Sequence, residues 1–145
     1  MTTTRPLAAA DRAVWDQLWT GYLAFYETTR PPGLFDATFR RLLDPAEPMH
    51  GLVAEQDGAV VGLVHYIFHR HCWFEADVCY LQDLFVDPAV RGTGAGRALI
   101  EAVYAAADAA GSASVYWMTQ EFNYRGRMLY DRIGVKTPFI KYARP

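Results

Sequence analysis

The chain has 145 residues, within the roughly 100–200 typical of one domain, and a net charge of −2 from 14 Lys and Arg against 16 Asp and Glu. An apolar share of 52% with 14% aromatic residues predicts a packed core and excludes a disordered chain. The near-neutral charge argues against binding to nucleic acids or anionic membranes. No apolar run reaches the roughly 18–20 residues of a membrane span. Residues 1–10 lack the pattern of a secretion signal, and Cys72 and Cys79 are too few for a disulfide framework. We therefore expect one domain over residues 1–145, located in the cytoplasm.

Two helices are predicted in the first third of the chain. Apolar residues recur every three or four positions from Asp11 to Tyr26, which indicates one buried helix face. The paired prolines within residues 28–33 predict a loop. A second short helix is expected to begin with Asp36 as its N-cap and to end near Asp44, with Phe39, Leu42 and Leu43 directed inward.

Strands and helices alternate in the rest of the chain. Asp57-Gly58 is a turn pair typical of a hairpin, and it separates two strand-like runs. Gly111 is a suitable cap for the end of the third helix. The predicted strands are Leu52–Glu55, Ala59–Phe68, Val78–Val86, Ser114–Thr119 and Phe139–Tyr142, and the predicted helices are Gly94–Ala110 and Gly126–Ile133. The predicted order is α-α-β-β-β-α-β-α-β, which indicates a mixed α/β fold.

A glycine-rich segment over residues 86–97 joins a predicted strand to a predicted helix. Its glycines allow a ligand to approach the backbone N–H groups, and the helix N-terminus behind them suits a phosphate. Arg91 and Arg97 add positive charge. A P-loop is excluded because Arg97-Ala98 stands where Lys and Ser or Thr are needed. A dinucleotide fingerprint also fails, because Arg97 replaces the last glycine and no acidic residue follows at the required distance. The pattern favours the pyrophosphate of a different cofactor.

Two motifs resemble those of a known family. Arg91-x-x-Gly94-x-Gly96, after a strand that ends Leu84-Phe85-Val86, resembles the acetyl-CoA pyrophosphate loop of the GNAT superfamily of N-acetyltransferases. Asn123, followed by Leu129-Tyr130 and Gly134, resembles the second cofactor segment of that family. The run from Tyr80 to Val86 and the pair Tyr26-Glu27 also resemble the diamine (spermidine/spermine) acetyltransferase branch. The resemblance covers approximately residues 5–142.

The resemblance implies a fold, a cofactor and a set of cofactor-binding residues. The expected fold is a mixed α/β sheet of the acyl-CoA N-acyltransferase type, in which the strand Val78–Val86 splays from the strand Ser114–Thr119. The pantetheine arm of acetyl-CoA would lie in that gap and pair with backbone groups of Leu84 and Val86. The residues expected to bind the cofactor are Leu84, Phe85, Val86, Arg91, Gly92, Thr93, Gly94, Ala95, Gly96, Arg97, Asn123, Arg125, Gly126 and Tyr130.

The implied reaction is direct attack of an amine on the thioester carbonyl. The resemblance assigns the Leu84 N–H to the developing oxyanion and Tyr130 to protonation of the departing thiolate. The diamine branch carries Glu followed by Asp on the fourth strand, whereas this chain carries Gln82 followed by Asp83. Because Gln82 cannot accept a proton usefully and adjacent strand residues point to opposite faces, the identity of the base stays open among Asp83, Glu27, Glu121 and a water chain.

The acceptor site is expected to be acidic. The candidate acceptor-binding residues are Tyr26, Glu27, Gln82, Asp83, Trp117 and Glu121. An acidic set favours a cation such as a polyamine, whereas Arg30 beside the paired prolines would instead bind the carboxylate of an amino acid. We expect no metal site, because His65, His69 and His71 share strand parity but lack further ligands.

The leading hypothesis is an acetyl-CoA-dependent N-acetyltransferase for the primary amine of a small molecule. A protein lysine or N-terminal acetyltransferase and a non-catalytic CoA-binding module are the alternatives. We further expect the chain to form a homodimer.

Overall fold

The computed structural model describes residues 1–112 and 114–145. Its sheet has the strand order β1-β2-β3-β4-β5, in which only the β4–β5 pair is parallel. The strands are β1 (Thr2–Pro6), β2 (Met49–Gln56), β3 (Ala59–His69), β4 (Val78–Val86) and β5 (Val115–Tyr116). The helices are α1 (Arg12–Phe25), α2 (Pro32–Leu43), α3 (Ala95–Ala109) and α4 (Tyr124–Ile133), with short 3₁₀ turns at Ala9–Asp11 and Pro88–Val90. None of the helices in this part of the chain is long and apolar enough to cross a membrane.

Helices cover both faces of the sheet. On one face, Leu99, Ile100 and Val103 of α3 are fully buried against β3 and β4, and α4 packs beside them. On the other face, Trp15 and Trp19 of α1 lie with α2 in a second apolar cluster. The structure is thus a mixed α/β fold of three layers, and β4 lies between two helical layers that both reach its C-terminal half.

The hairpin and the long central elements follow the sequence expectations. Strand β4 has the predicted bounds. The bounds of α1 and α3 lie within two residues of those predicted for each helix. Asp57 and Gly58 have φ angles of +50° and +78°, as the predicted tight turn requires. Gly111 follows α3 with a φ of +70°, which supports its role as a cap.

Three expectations about the first half of the chain are wrong. Residues 2–6 form an edge strand, which was not predicted because Thr-Thr-Thr-Arg-Pro shows no apolar alternation. Helix α2 begins at Pro32 rather than at Asp36, because proline is well tolerated in the first turn of a helix, where its missing N–H is not needed. Leu43 is exposed instead of buried.

Two predicted strands also differ. The strand predicted over Ser114–Thr119 is reduced to Val115–Tyr116. The segment Phe139–Tyr142 forms no strand, and its side chains are exposed. The short β5 leaves most of one edge of β4 without a strand beside it.

Candidate active site

A β-bulge in β4 positions the first candidate residues. His65 pairs with Asp83 and Tyr66 pairs with Leu81, so Gln82 has no partner on β3. An extra residue of this kind reverses the alternation of the strand. Leu81 and Leu84 therefore both pack toward α3, whereas Asp83 lies on the face covered by α1. Strand alternation alone predicts that Gln82 and Asp83 serve different sites, but both border the cavity beneath α1 and α2.

The backbone of β4 offers hydrogen-bonding groups to the gap beside β5. Asp87 N–H donates to Val61 O at 2.8 Å, so the Val61–Asp87 pair is hydrogen-bonded. Bonded and non-bonded pairs alternate in an antiparallel ladder, which makes Leu84 and Val86 members of non-bonded pairs with β3. Their N–H and C=O groups consequently point away from β3. The β4–β5 pairing extends only over Cys79 and Tyr80, so these groups face an open gap.

A cleft lies at this gap, and we call it the β4–β5 cleft. Side chains from α1, β4, α4 and the segment after β5 border it: Tyr22, Tyr26, Gln82, Leu84, Trp117 and Tyr130. Burial raises the pKa of Tyr130 to about 12, with a smaller contribution from Tyr26. The phenol is therefore protonated at neutral pH and is able to donate a proton. The cleft brings five predicted site residues together, namely Tyr26, Gln82, Leu84, Trp117 and Tyr130.

A second cavity of about 280 Å³ lies between α1, α2 and the sheet, and we call it the α1–α2 cavity. Its polar border consists of Trp19, Arg30, His65, Gln82 and Asp83, and the rest is mainly apolar. The buried Trp19 Nε1 has no hydrogen-bond partner among the described residues. The Arg30 guanidinium is exposed and donates from Nη1 to Thr28 Oγ1 and Thr29 O. The cavity is thus bordered by a carboxylate, a guanidinium and a buried indole ring.

The two spaces adjoin each other at Gln82, which borders both. Tyr22 stands at the same junction, and its hydroxyl lies 3.5 Å from the Gln82 carbonyl oxygen. Burial raises the pKa of Tyr22, and the negative charge of Asp83 raises it further. The α1–α2 cavity and the β4–β5 cleft therefore share Gln82 as a border residue.

The glycine-rich loop is shaped to receive a ligand at its backbone. Gly92 and Gly94 have φ angles of +86° and +90°, and a Cβ atom at either position would meet nothing within 4 Å. Helix α3 begins directly after Gly94, so its unpaired N–H groups open toward this space. The loop itself is held by Thr93, whose hydroxyl donates to Val90 O and accepts from Gln56 Nε2.

The side chains around the loop make contacts within the protein. Arg91 donates to Val86 O at 3.3 Å and lies over the Phe85 ring, and Arg97 pairs with Glu101. The Phe85 side chain is buried beneath α1, and Ala95, the first residue of α3, is buried in the core. The loop therefore offers a ligand backbone groups more than side chains.

Asn123 and Gly126 shape the beginning of α4. Asn123 Oδ1 accepts from Gly126 N–H at 3.2 Å, and Asn123 Nδ2 donates to Thr119 Oγ1 at 2.9 Å. A Cβ atom on Gly126 would lie 2.6 Å from Asn123 Nδ2, which explains the glycine there. Arg125 is exposed. This cap fixes the helix that carries Tyr130 into the β4–β5 cleft.

Two predicted acceptor residues stand apart from these spaces. Within residues 1–112 and 114–145, Glu27 and Glu121 border neither the cleft nor the cavity. The three histidines do not converge: His65 contacts Asp83, His69 contacts Tyr116, and His71 lies near Trp73. The described residues contain no group of three or more His, Cys, Asp and Glu arranged to hold a metal ion.

The sequence did not reveal the roles of Trp15, Trp19, Tyr22 and His65. The helical spacing of Trp15 and Trp19 predicts only a buried helix face and gives no further signal. His65 becomes informative only when its partners across the fold are known.

Comparison with known proteins assigns the chain to a family. The sequence profile described as the acetyltransferase (GNAT) family matches residues 15–135. The chain therefore belongs to this family and is an N-acetyltransferase. It is 38% identical over 136 residues to the D-amino-acid N-acetyltransferase HPA3 of Saccharomyces cerevisiae, which covers 92% of this chain and 84% of that protein.

Solved structures confirm the fold. A ribosomal-protein-alanine N-acetyltransferase from Brucella melitensis biovar Abortus superposes with a TM-score of 0.83 at 21% identity, covering 100% of this chain and 99% of that one. The aminoglycoside N-acetyltransferase AAC(6')-Iy, solved in complex with CoA, gives 0.85 at 18% identity, covering 100% and 95%. These two structures support the fold, and none of the comparisons singles out the diamine branch of the family.

Proposed function

We propose that this enzyme transfers the acetyl group of acetyl-CoA to the primary amine of a small molecule. The observation that carries the proposal is the junction at Gln82, where the β4–β5 cleft meets the α1–α2 cavity. Two spaces that adjoin in this way allow two substrates to bind separately and to react at their boundary. A single catalytic domain over residues 1–145 would contain both.

The cofactor fits the residues that are present. Gly92 and Gly94 leave space at the N-terminus of α3, which suits a pyrophosphate. The outward-facing backbone of Leu84 and Val86 suits the amides of a pantetheine arm, which would pair with β4 as an added strand does. Acetyl-CoA supplies an acetyl thioester to the site. We place its reactive end near Leu84 and Tyr130, both of which border the cleft.

Leu84 and Tyr130 then have distinct roles. The Leu84 N–H donates to the carbonyl oxygen on which negative charge develops. Tyr130, kept protonated by burial, gives its proton to the departing sulfur. The nitrogen loses a proton as the amide bond forms. This proton replaces the one that Tyr130 gave to the sulfur.

An α-amino acid is the acceptor that the α1–α2 cavity favours. Asp83 attracts an ammonium group, and Arg30 attracts a carboxylate. A volume of about 280 Å³ is at the small end of the roughly 300–1,000 Å³ common for ligand sites. A polyamine carries no carboxylate, and Arg30 would repel it. The relative named as a D-amino-acid N-acetyltransferase supports the same choice.

Release of free thiol from acetyl-CoA tests the proposal. The acceptors are L- and D-amino acids, the decarboxylated amines with the same side chains, spermidine, and short peptides. We expect amino acids to give the highest kcat/KM, and Arg30→Ala to lower that value for them while affecting the decarboxylated amines less. Arg40→Ala is the matched control, because Arg40 is an exposed arginine on α2. Turnover with peptides alone would support a protein acetyltransferase, and CoA binding without turnover would support a non-catalytic module.

We also propose that the enzyme forms a homodimer through its C-terminal segment. Val135, Phe139, Ile140 and Tyr142 are 76–90% exposed. Four large apolar side chains this close together in water indicate a surface that a second copy covers. Light scattering is expected to give the mass of a dimer, and the double substitution Phe139→Asp with Ile140→Asp is expected to give a monomer. A monomeric wild-type chain at micromolar concentration would contradict the proposal.

A further inference from the structure

Three buried side chains form a hydrogen-bonded chain that ends at the α1–α2 cavity. Trp15 Nε1 on α1 lies 2.9 Å from His65 Nε2 on β3, and His65 Nδ1 lies 2.8 Å from Asp83 Oδ2 on β4. Trp15 is fully buried, and His65 is 4% exposed. Asp83 borders the cavity in which the acceptor is proposed to bind. These hydrogen bonds thus connect the core under α1 to the proposed acceptor site.

The direction of these bonds fixes the protonation of His65. An indole nitrogen is only a donor, so Trp15 must donate and His65 Nε2 must accept. A neutral imidazole that accepts at Nε2 carries its proton on Nδ1. His65 therefore donates from Nδ1 to the Asp83 carboxylate. It cannot take a second proton at Nε2 without losing the bond from Trp15.

This arrangement differs from one in which histidine itself removes a proton. Both nitrogens of His65 are engaged inside the protein, so the imidazole is not available to the substrate. Among the side chains considered as bases, the carboxylate of Asp83 is the one that remains to accept a proton. Gln82 lacks this ability, and among the described residues Glu27 and Glu121 border neither space.

We propose that Trp15 and His65 are positioning residues that hold Asp83 as the proton acceptor for the substrate amine. An N–H bond of the entering ammonium group breaks, and its proton passes to a carboxylate oxygen of Asp83. The nitrogen keeps the electron pair and uses it to form the bond to the acetyl carbon. Asp83 returns the proton to solvent after the products leave. This proposal depends on the proposed function, because it requires an amine acceptor.

Two amide substitutions at His65 separate its two hydrogen bonds. His65→Asn places an amide nitrogen near the position of Nδ1 and keeps a donor for Asp83. His65→Gln places an amide oxygen near the position of Nε2 and keeps an acceptor for Trp15 but removes the donor to Asp83. Each variant leaves one buried partner unpaired, so we expect similar decreases in melting temperature.

Their activities are expected to differ. We expect kcat for His65→Asn within about 3-fold of wild type, and kcat for His65→Gln to fall by about 10- to 100-fold, as misplacement of a reacting group does. The KM for acetyl-CoA should not change in either variant. Asp83→Asn should lose at least as much activity as His65→Gln. Equal activity of the two His65 variants, or a His65→Asn variant as inactive as Asp83→Asn, would overturn the proposal.

A weakly basic acceptor provides a readout that a purely structural role would not change. An amine that is already neutral at the assay pH does not need Asp83 to remove a proton before attack. The defect of His65→Gln is therefore expected to shrink with such an amine, whereas a misfolded site would be impaired with every acceptor. Absence of amine-dependent turnover in the wild type would contradict the proposed function. If the wild type is active but His65→Gln shows the same defect with both amines, the result contradicts this inference and leaves the proposed function standing.

Discussion

The hydroxyl of Tyr104 on α3 donates a hydrogen bond of 2.6 Å to the carbonyl oxygen of Ile133, the last residue of α4. Carbonyls in the last turn of a helix lack partners within the helix, so this bond satisfies one of them and fixes the end of α4. Tyr130 lies one turn before Ile133. The bond therefore connects the core helix to the position of the phenol in the cleft.

The first prediction concerns this bond. Tyr104→Phe leaves the Ile133 carbonyl unpaired, and we expect the free energy of unfolding to fall by about 1 kcal/mol. We also expect kcat to fall by about 2- to 5-fold, because the end of α4 is held less firmly. Thermal melting and steady-state kinetics check both. Tyr142→Phe is the control, since Tyr142 is exposed; equal effects of the two substitutions would contradict the prediction.

Tyr130→Phe tests the proton donor. The ring and its packing against Trp117 stay, but the hydroxyl is lost. We expect kcat to fall by about 10- to 10³-fold with little change in affinity for acetyl-CoA, because a thiolate is a fair leaving group even without help. The defect should be smaller with an acyl donor that has a more acidic thiol. Tyr124→Phe is the control, as Tyr124 is an exposed residue at the start of α4. Wild-type kcat in Tyr130→Phe would end the assignment.

Gly94→Val tests the cofactor loop. Valine introduces a branched side chain where a pyrophosphate must approach, so we expect calorimetric titration to show at least a 10-fold loss of CoA affinity. Arg91→Ala should lower the affinity less, because the loop backbone makes most of the contacts. Gly111→Val is the matched control: it imposes a similar strain at a φ of +70° but lies at the other end of the 15-residue helix α3. A folded Gly94→Val variant that binds CoA normally would show that the loop assignment is wrong.

Asp11 predicts a pH dependence of stability. The hydrogen bond from Arg5, helped by the Ala8 N–H, lowers the pKa of the Asp11 carboxyl group below its usual value. A lowered folded-state pKa contributes stability above the unfolded pKa of about 3.9, and this stability is lost as the pH falls through the folded value.

We therefore expect Asp11→Asn to cost about 1–2 kcal/mol at pH 7 and less at pH 3, as measured by urea unfolding. Asp16→Asn is the control, because Asp16 forms an exposed pair with Arg12 that contributes little to stability. A loss for Asp11→Asn that stayed constant between pH 7 and pH 3 would contradict this explanation.

Local sequence patterns predict those strands and turns whose own residues carry a clear pattern. Val78–Val86 and the Asp57-Gly58 turn were predicted because apolar residues and turn residues there leave one plausible conformation. The edge strand at residues 2–6 was not, since it depends on pairing with β2 and on the contact of Arg5 with Glu55 across 50 residues of sequence. A strand that exists through distant partners leaves no periodic signal in its own sequence.

The candidate site likewise contains some features that local sequence predicts and others that depend on distant partners. The glycine loop, Tyr130 and the gap beside β4 could be expected from motifs, because the family keeps their spacing along the chain. The bulge at Gln82 and the contact of Trp15 with His65 could not, because both depend on how β3 and β4 are aligned. The sequence leaves the base open because Gln82 cannot usefully accept a proton, and counting along β4 cannot place Asp83 once a single residue is added to the strand.

The bulge also divides β4 into two segments with different pairing. Residues before Gln82 pair with β5 and follow one register with β3, whereas residues after it follow another and present their backbone to the gap. Substitutions that reshape the acceptor cavity from α1 or α2 need not disturb the register of Leu84 and Val86. With this separation, substitutions in the layer of α1 and α2 can change the amine specificity. Binding of the acetyl donor beside α3 and α4 can then stay the same. Laboratory evolution toward a different acceptor should accordingly accumulate changes in residues 12–43 and leave residues 84–97 as they are.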